Sequence, residues 1–140
     1  MRIPETEERM LAIHIACLNN RLEIVKLFFE NRVPPNVLNN KIDKATPLHY
    51  SILSRNPELV KYILRKKGDP NFRDVQGNTP YHFACMIGNL EIIQLLEEYK
   101  GDALCKNNSG ASPLDIIVKS KNKEIMGYFM GIKKYANELI

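Results

Sequence analysis

The sequence is poor in the features that mark most functional classes. Tryptophan is absent, aromatic residues make up 8% of the chain, and there are three cysteines among 140 residues. So odd and small a number gives no disulfide framework, and a reducing, intracellular setting (cytoplasm or nucleus) is expected. Long apolar runs are missing as well: the candidate 125–132 has eight uncharged residues, where a membrane span needs roughly 18. No membrane insertion is expected. The opening MRIPETEER holds three glutamates and no hydrophobic segment, so it does not read as a secretory signal. No nucleophile elbow, phosphate-binding glycine loop, HExxH or paired CxxC occurs, and no enzymatic activity, cofactor or metal is expected.

Charge is nearly balanced. Twenty basic against sixteen acidic side chains leave a net +4, and the excess lies in residues 1–70, with twelve basic and eight acidic side chains. The cluster Arg65, Lys66, Lys67 reads as the end of a helix, where cations complement the negative terminus. It has no aromatic interleaving, so nucleic acid is not the expected partner; such binding would fall steeply with salt. A hydrophobic content of 44% suffices for a folded core.

What the chain does contain is a repeat. TPLH at 46–49, TPYH at 79–82 and SPLD at 112–115 follow one another at intervals of 33, and a weaker copy, LAIH, stands at 11–14. Thr46, Thr79 and Ser112 are N-cap residue types, each followed by a proline at the first helical position, where its missing N–H costs nothing. Asn56, Asn89 and Asn122 recur with the same interval, each two places ahead of a glutamate, and read as N-caps of a second helix. Apolar residues then follow with helical periodicity, as in Leu59, Val60, Ile63 and Leu64, or Ile92, Ile93, Leu95 and Leu96. Turn-rich stretches separate the copies, and Gly77 and Gly110 hold one register.

On these motifs, together with AlaCysMetIleGly at 84–88 and GDPN at 68–71, the sequence resembles the ankyrin repeat family over nearly its whole length. The resemblance implies an all-α solenoid of helix-turn-helix units joined by β-hairpin-like loops. One domain, 1–140, is expected, with repeats at about 7–38, 42–74, 75–107 and 108–131. Copies one and four depart from the pattern, as terminal repeats do. The glycine between the two helices survives only as Gly88, and Arg55 and Lys121 in its place are expected to strain their turns. Ile132, Tyr135, Ala136 and Leu139 share one helical face and predict a helix within 132–140 that covers the C-terminal end, or else a linker.

His14, His49 and His82 occupy one position in successive copies, one per layer, too far apart to share a zinc ion. In the family this histidine ties the loop to neighbouring backbone. Cys17 and Cys85 replace a small core residue, and Cys105 alone is expected near the surface. Asp115 and Lys119, at i and i+4, read as a surface ion pair. The resemblance further implies that residues after the small pair of the first helix, and those at the hairpin tips, face a concave groove. By register these are Leu18, Asn19, Leu53, Ser54, Met86, Ile87, Lys119 and Ser120 on the helices, and Ile42, Asp43, Ala45, Val75, Gln76, Asn78, Asn108, Ser109 and Ala111 on the tips. Leu18, Leu53, Met86, Ile87, Ile42 and Val75 form an apolar stripe, with Gln76, Asn78 and Asn108 as its polar rim. A monomer that binds a protein or peptide there is the expected function; the runner-up is the ankyrin arm of a larger enzyme or channel.

Overall fold

The computed structural model describes residues 6–39 and 43–139, with side chains from residue 12 onward. Helices run in pairs: α1 (Thr6–Leu18) with α2 (Leu22–Glu30), α3 (Pro47–Leu53) with α4 (Pro57–Arg65), α5 (Pro80–Ile87) with α6 (Leu90–Glu98), α7 (Pro113–Ser120) with α8 (Lys123–Met130), and then α9 (Lys133–Ala136). The starts are set locally. Thr46, Thr79 and Ser112 each accept a hydrogen bond from the backbone N–H three residues on, and the side chains of His49, His82 and Asp115 accept from the cap residue's own N–H. These are reciprocal capping boxes, in which histidine, or aspartate in the third, takes the place of the usual glutamate. Asn56, Asn89 and Asn122 cap the second helices through Glu58, Ile92 and Ile125 N–H. Each such cap contributes about 1 kcal/mol. Helix α2, which starts after Arg21, has no side-chain cap.

Asp115 corrects an expectation. Its carboxylate closes the box by accepting from Ser112 N–H at 2.9 Å, and so serves the helix start instead of pairing with Lys119.

The first helices form one layer, α1 on α3, α3 on α5 and α5 on α7, while α4 packs on α6 in the second. Between the layers lies a single apolar cluster that runs along the stack from Ile13 to Tyr135. Leu48 and Ile52 of α3, Leu59, Val60 and Ile63 of α4, and Ile92, Ile93 and Leu96 of α6 are all fully buried. Each such side chain stabilises the fold by roughly 1.5–3 kcal/mol relative to exposure.

Loops join the layers by backbone pairing. Asp74 N–H donates to Asn78 O and Asn107 N–H to Ala111 O, closing two hairpin-like turns, and Asn108 N–H donates to Gln76 O between them. Gly77, with φ at 78°, is required here, since a Cβ would come within 2.8 Å of Asn108 N. A second set of bridges uses asparagine side chains. Asn36 donates to Lys67 O and accepts from Asp69 N–H; Asn71 does the same to Lys100 O and Asp102 N–H.

The turns expected to be strained are left-handed. Asn20, Arg55 and Lys121 have φ of 58°, 64° and 58° where Gly88 has 76°. A second left-handed series, Arg32, Lys67 and Lys100, follows the second helices and was not expected from the sequence.

At the C-terminus the expected helix is a single turn, α9, with Tyr135 buried and Ile132 and Leu139 packed against the apolar cluster. Tyr135, 1% exposed, reaches back to Glu97 of α6, while Val118 and Met130 stay 43% and 55% exposed. Glu97 is the anchor: Tyr81 Oη also donates to its Oε1 at 3.1 Å, and Lys134 Nζ lies 3.5 Å from Oε2. Phe129 lies between the two tyrosines, tilted on Tyr81 and edge-on to Tyr135.

Candidate functional site

Whether the first helices hold reactive chemistry is decided by their buried side. His49 Nδ1 accepts from Thr46 N–H at 3.0 Å and His82 Nδ1 from Thr79 N–H at 3.0 Å, while each Nε2 lies 2.9 Å from a carbonyl, Asn78 O and Ala111 O respectively. A carbonyl only accepts, so both imidazoles are neutral with the proton on Nε2. Burial lowers both pKa values below the ordinary 6.5. His14 Nε2 meets Val37 O at 3.0 Å in the same way. Each ring thus ties its own helix to the loop ahead. Among the described residues no three His, Cys, Asp or Glu side chains are placed to hold a metal ion.

Cys17 and Cys85 are buried, and burial raises both thiols, Cys17 to about 12. Neither is a nucleophile at neutral pH. Cys105 is half-buried, with Arg73 Nη1 donating to its Sγ at 3.5 Å and, more strongly, to Lys106 O at 2.6 Å. The arginine is a loop clamp.

The opposite side of the same helices is open. Leu18, Leu53 and Met86 stand at one register position, 43%, 41% and 52% exposed, and Lys119 continues their column on α7. Asn19 is exposed, Ser54 and Ile87 are half-buried, and Val75 and Gln76 project from the second hairpin tip. Asn108 is exposed but engaged, donating to Val75 O and accepting from Arg73. Ile42 lies outside the described residues.

Two tip residues differ from expectation. Asn78 is 6% exposed: its carbonyl receives His49 and its side-chain oxygen receives Asn107 Nδ2 at 2.8 Å, so it holds the next hairpin and is no rim contact. Ala45 is 1% exposed, turned in beside the cap of α3.

A second column was missed. Ile15, Tyr50, Phe83 and Ile116 lie three residues before Leu18, Leu53, Met86 and Lys119, on the same helical face. Ile15 is 48% exposed, the others are half-buried. Tyr50 and Phe83 stack edge-on against His14 and His49 of the preceding copy, with centroids 5.2 and 5.0 Å apart. The i, i+3 spacing from Leu53 and Met86 would have found them. Tyr50 Oη donates to Asp43 at 2.7 Å, and its phenol is pushed up to about 12, burial being the larger cause. What results is a two-residue-wide apolar face over three repeats, with cationic Lys119 and Lys121 at the fourth. Such a face can bind apolar side chains.

Among the described residues no helix is long and apolar enough to cross a membrane. Residues 3–74 and 54–138 match the family described as ankyrin repeats, present in three copies. Similar proteins include palmitoyltransferase AKR1 of Kluyveromyces lactis, 37% identical over 73 residues, which are 52% of this chain and 10% of that protein. Phosphocholine transferase AnkX of Legionella pneumophila is 40% identical over 67 residues, 48% of this chain and 7% of that protein. The transient receptor potential cation channel subfamily A member 1 of Drosophila melanogaster is 31% identical over 67 residues, 46% and 6%. The chain therefore spans a tenth or less of the length of these relatives.

Proposed function

Because the chain belongs to the ankyrin repeat family, we propose that it is a non-catalytic interaction module that holds a protein or extended peptide in its concave groove and against its hairpin tips. The observation that carries this reading is the column Leu18, Leu53 and Met86, apolar and 41–52% exposed at a position the stack does not bury. Contiguous exposed apolar area of this kind marks a partner site. The methionine suits an adaptable contact, and the half-buried Tyr50 and Phe83 beside it supply the aromatic anchors that dominate protein interfaces. The free cysteines, two of them buried, favour a reducing compartment.

The test is the double variant Leu53→Glu, Met86→Glu, whose sites are exposed enough to leave folding intact. With the native partner captured from the source cell, the variant is expected to lose at least about tenfold in affinity. Undiminished binding by a folded variant places the partner elsewhere.

A second reading is favoured by the small share of each relative that the chain covers: an ankyrin arm that positions a partner for an enzyme or channel carried by the same polypeptide. The sequence of the full gene product separates the two.

A further inference from the structure

Position by position, the four copies agree along the groove until the last. Leu18, Leu53 and Met86 are 43%, 41% and 52% exposed in copies one to three, so exposure at this place belongs to the register and not to either end of the stack. In copy four the same place holds Lys119, also exposed. The change extends through the turn that follows. Lys121 stands where the earlier copies have Asn20, Arg55 and Gly88, and Lys123 where they have Leu22, Pro57 and Leu90. Three positions that hold a single cation across three copies are all lysine in the fourth.

These ammonium groups are uncommitted. None of Lys119, Lys121 and Lys123 has a side-chain hydrogen bond or an ion pair among the described residues. The carboxylates of the same stretch, Asp115 and Glu124, serve helix starts: Asp115 accepts from Ser112 N–H, and Glu124 lies in the first turn of α8, at its positive end. Lys121 is held in place by its backbone, which ends α7 in the left-handed conformation at φ 58°.

This limits what can lie along the groove. Neighbouring helices pack about 8–10 Å apart and an extended chain advances about 3.3 Å per residue, so an extended peptide meets a new repeat at about every third residue. Over copies one to three it meets apolar pairs, Ile15 with Leu18, Tyr50 with Leu53 and Phe83 with Met86. Its next contact is Lys119. An apolar side chain there would cover an ammonium group without pairing it, and a basic one would repel it; a carboxylate matches it.

We propose that the groove takes an extended peptide of one particular make: apolar side chains at intervals of about three residues, followed at one end by an acidic group that lies over Lys119 and Lys121. This rests on the groove being the partner site, and adds the chemistry and the orientation of what is bound there.

The experiment selects random peptides of about twelve residues, displayed on phage, on the immobilised whole chain. Recovered peptides are synthesised and titrated against wild type and two double variants checked for folding by circular dichroism, Lys119→Glu with Lys121→Glu and Leu53→Glu with Met86→Glu. The peptides are expected to carry spaced apolar residues with Asp or Glu gathered at one end. The lysine variant should bind them about tenfold more weakly, and should gain affinity once the acidic end is resynthesised as lysine. Lys119→Gln, which introduces no new charge, should fall between it and wild type. Peptides without an acidic end, or acid-ended peptides that bind the lysine variant as tightly as wild type, overturn the proposal; where Leu53→Glu with Met86→Glu still abolishes their binding, the groove reading stands. Binding that this second variant retains overturns both. Recovery of no peptide overturns the extended-peptide proposal and leaves the groove to the surface of a folded partner.

Discussion

Arg55 shows how a single residue can carry strain for the sake of a turn. Its φ of 64° closes the link between α3 and α4 where Gly88 closes the next. A left-handed conformation costs a residue with a Cβ roughly 1–2 kcal/mol, while glycine adds back about 0.5–1 kcal/mol in unfolded-state freedom. Arg55→Gly is therefore expected to stabilise the chain by about 0.5–1 kcal/mol, read as a rise in the urea midpoint at constant slope. A lower midpoint would mean that the Arg55 side chain makes a contribution larger than the strain it brings. The turn itself was legible, because the position is defined by the repeat. The companion series Arg32, Lys67 and Lys100 was present in the sequence at the same spacing, but Lys67, within the cluster 65–67, already had an explanation in the helix dipole, which hid the backbone requirement.

At the scale of one element, α9 depends on contacts remote in sequence. Four residues cannot sustain a helix by themselves; this one is held by Tyr135, whose hydroxyl donates to Glu97 and whose ring lies edge-on to Phe129. Burial pushes the Tyr135 phenol above its ordinary range, which keeps it a donor. Tyr135→Phe keeps the ring and removes the donor, and should destabilise the chain by about 1–2 kcal/mol, as for a hydrogen bond to a partly buried carboxylate. An unchanged thermal midpoint would show that the ring alone holds the segment. The helix caps could be read from sequence because cap and hydrogen-bond partner lie two or three residues apart, as at Thr79 and His82 or Asn56 and Glu58. The Glu97 cluster could not: Tyr81 and Tyr135 reach it across 16 and 38 residues, and only the packed repeat brings them together. Asn78 was misread for the same reason, since its burial is set by Asn107 of the following loop.

For the whole molecule, the buried histidines link layer to layer, and this makes stability respond to pH. His49 and His82 are neutral in the fold with lowered pKa values, so below the ordinary 6.5 the unfolded chain binds more protons than the folded one. Their contribution is complete above that pH and is lost as the pH falls toward the folded values, where protonation of Nδ1 sets it against the Thr46 and Thr79 N–H donors. The free energy of unfolding should therefore decline between neutrality and mildly acid pH, before most carboxylates titrate. His49→Gln, His82→Gln should flatten that decline, and an equal slope in the variant would assign it to other groups. The groove belongs to this scale as well, since its columns run across successive repeats.

The cationic left-handed residues also determine how the molecule meets a protease. Arg32, Lys44, Arg55, Lys67, Lys100 and Lys121 are exposed, and all stand in turns or loops between helices. A protease of trypsin type, which selects Lys and Arg, finds cleavage sites at the joints of the stack, where local opening is easiest. The order in which the cuts accumulate is then a record of which layers open first, written in fragments that end where helices end.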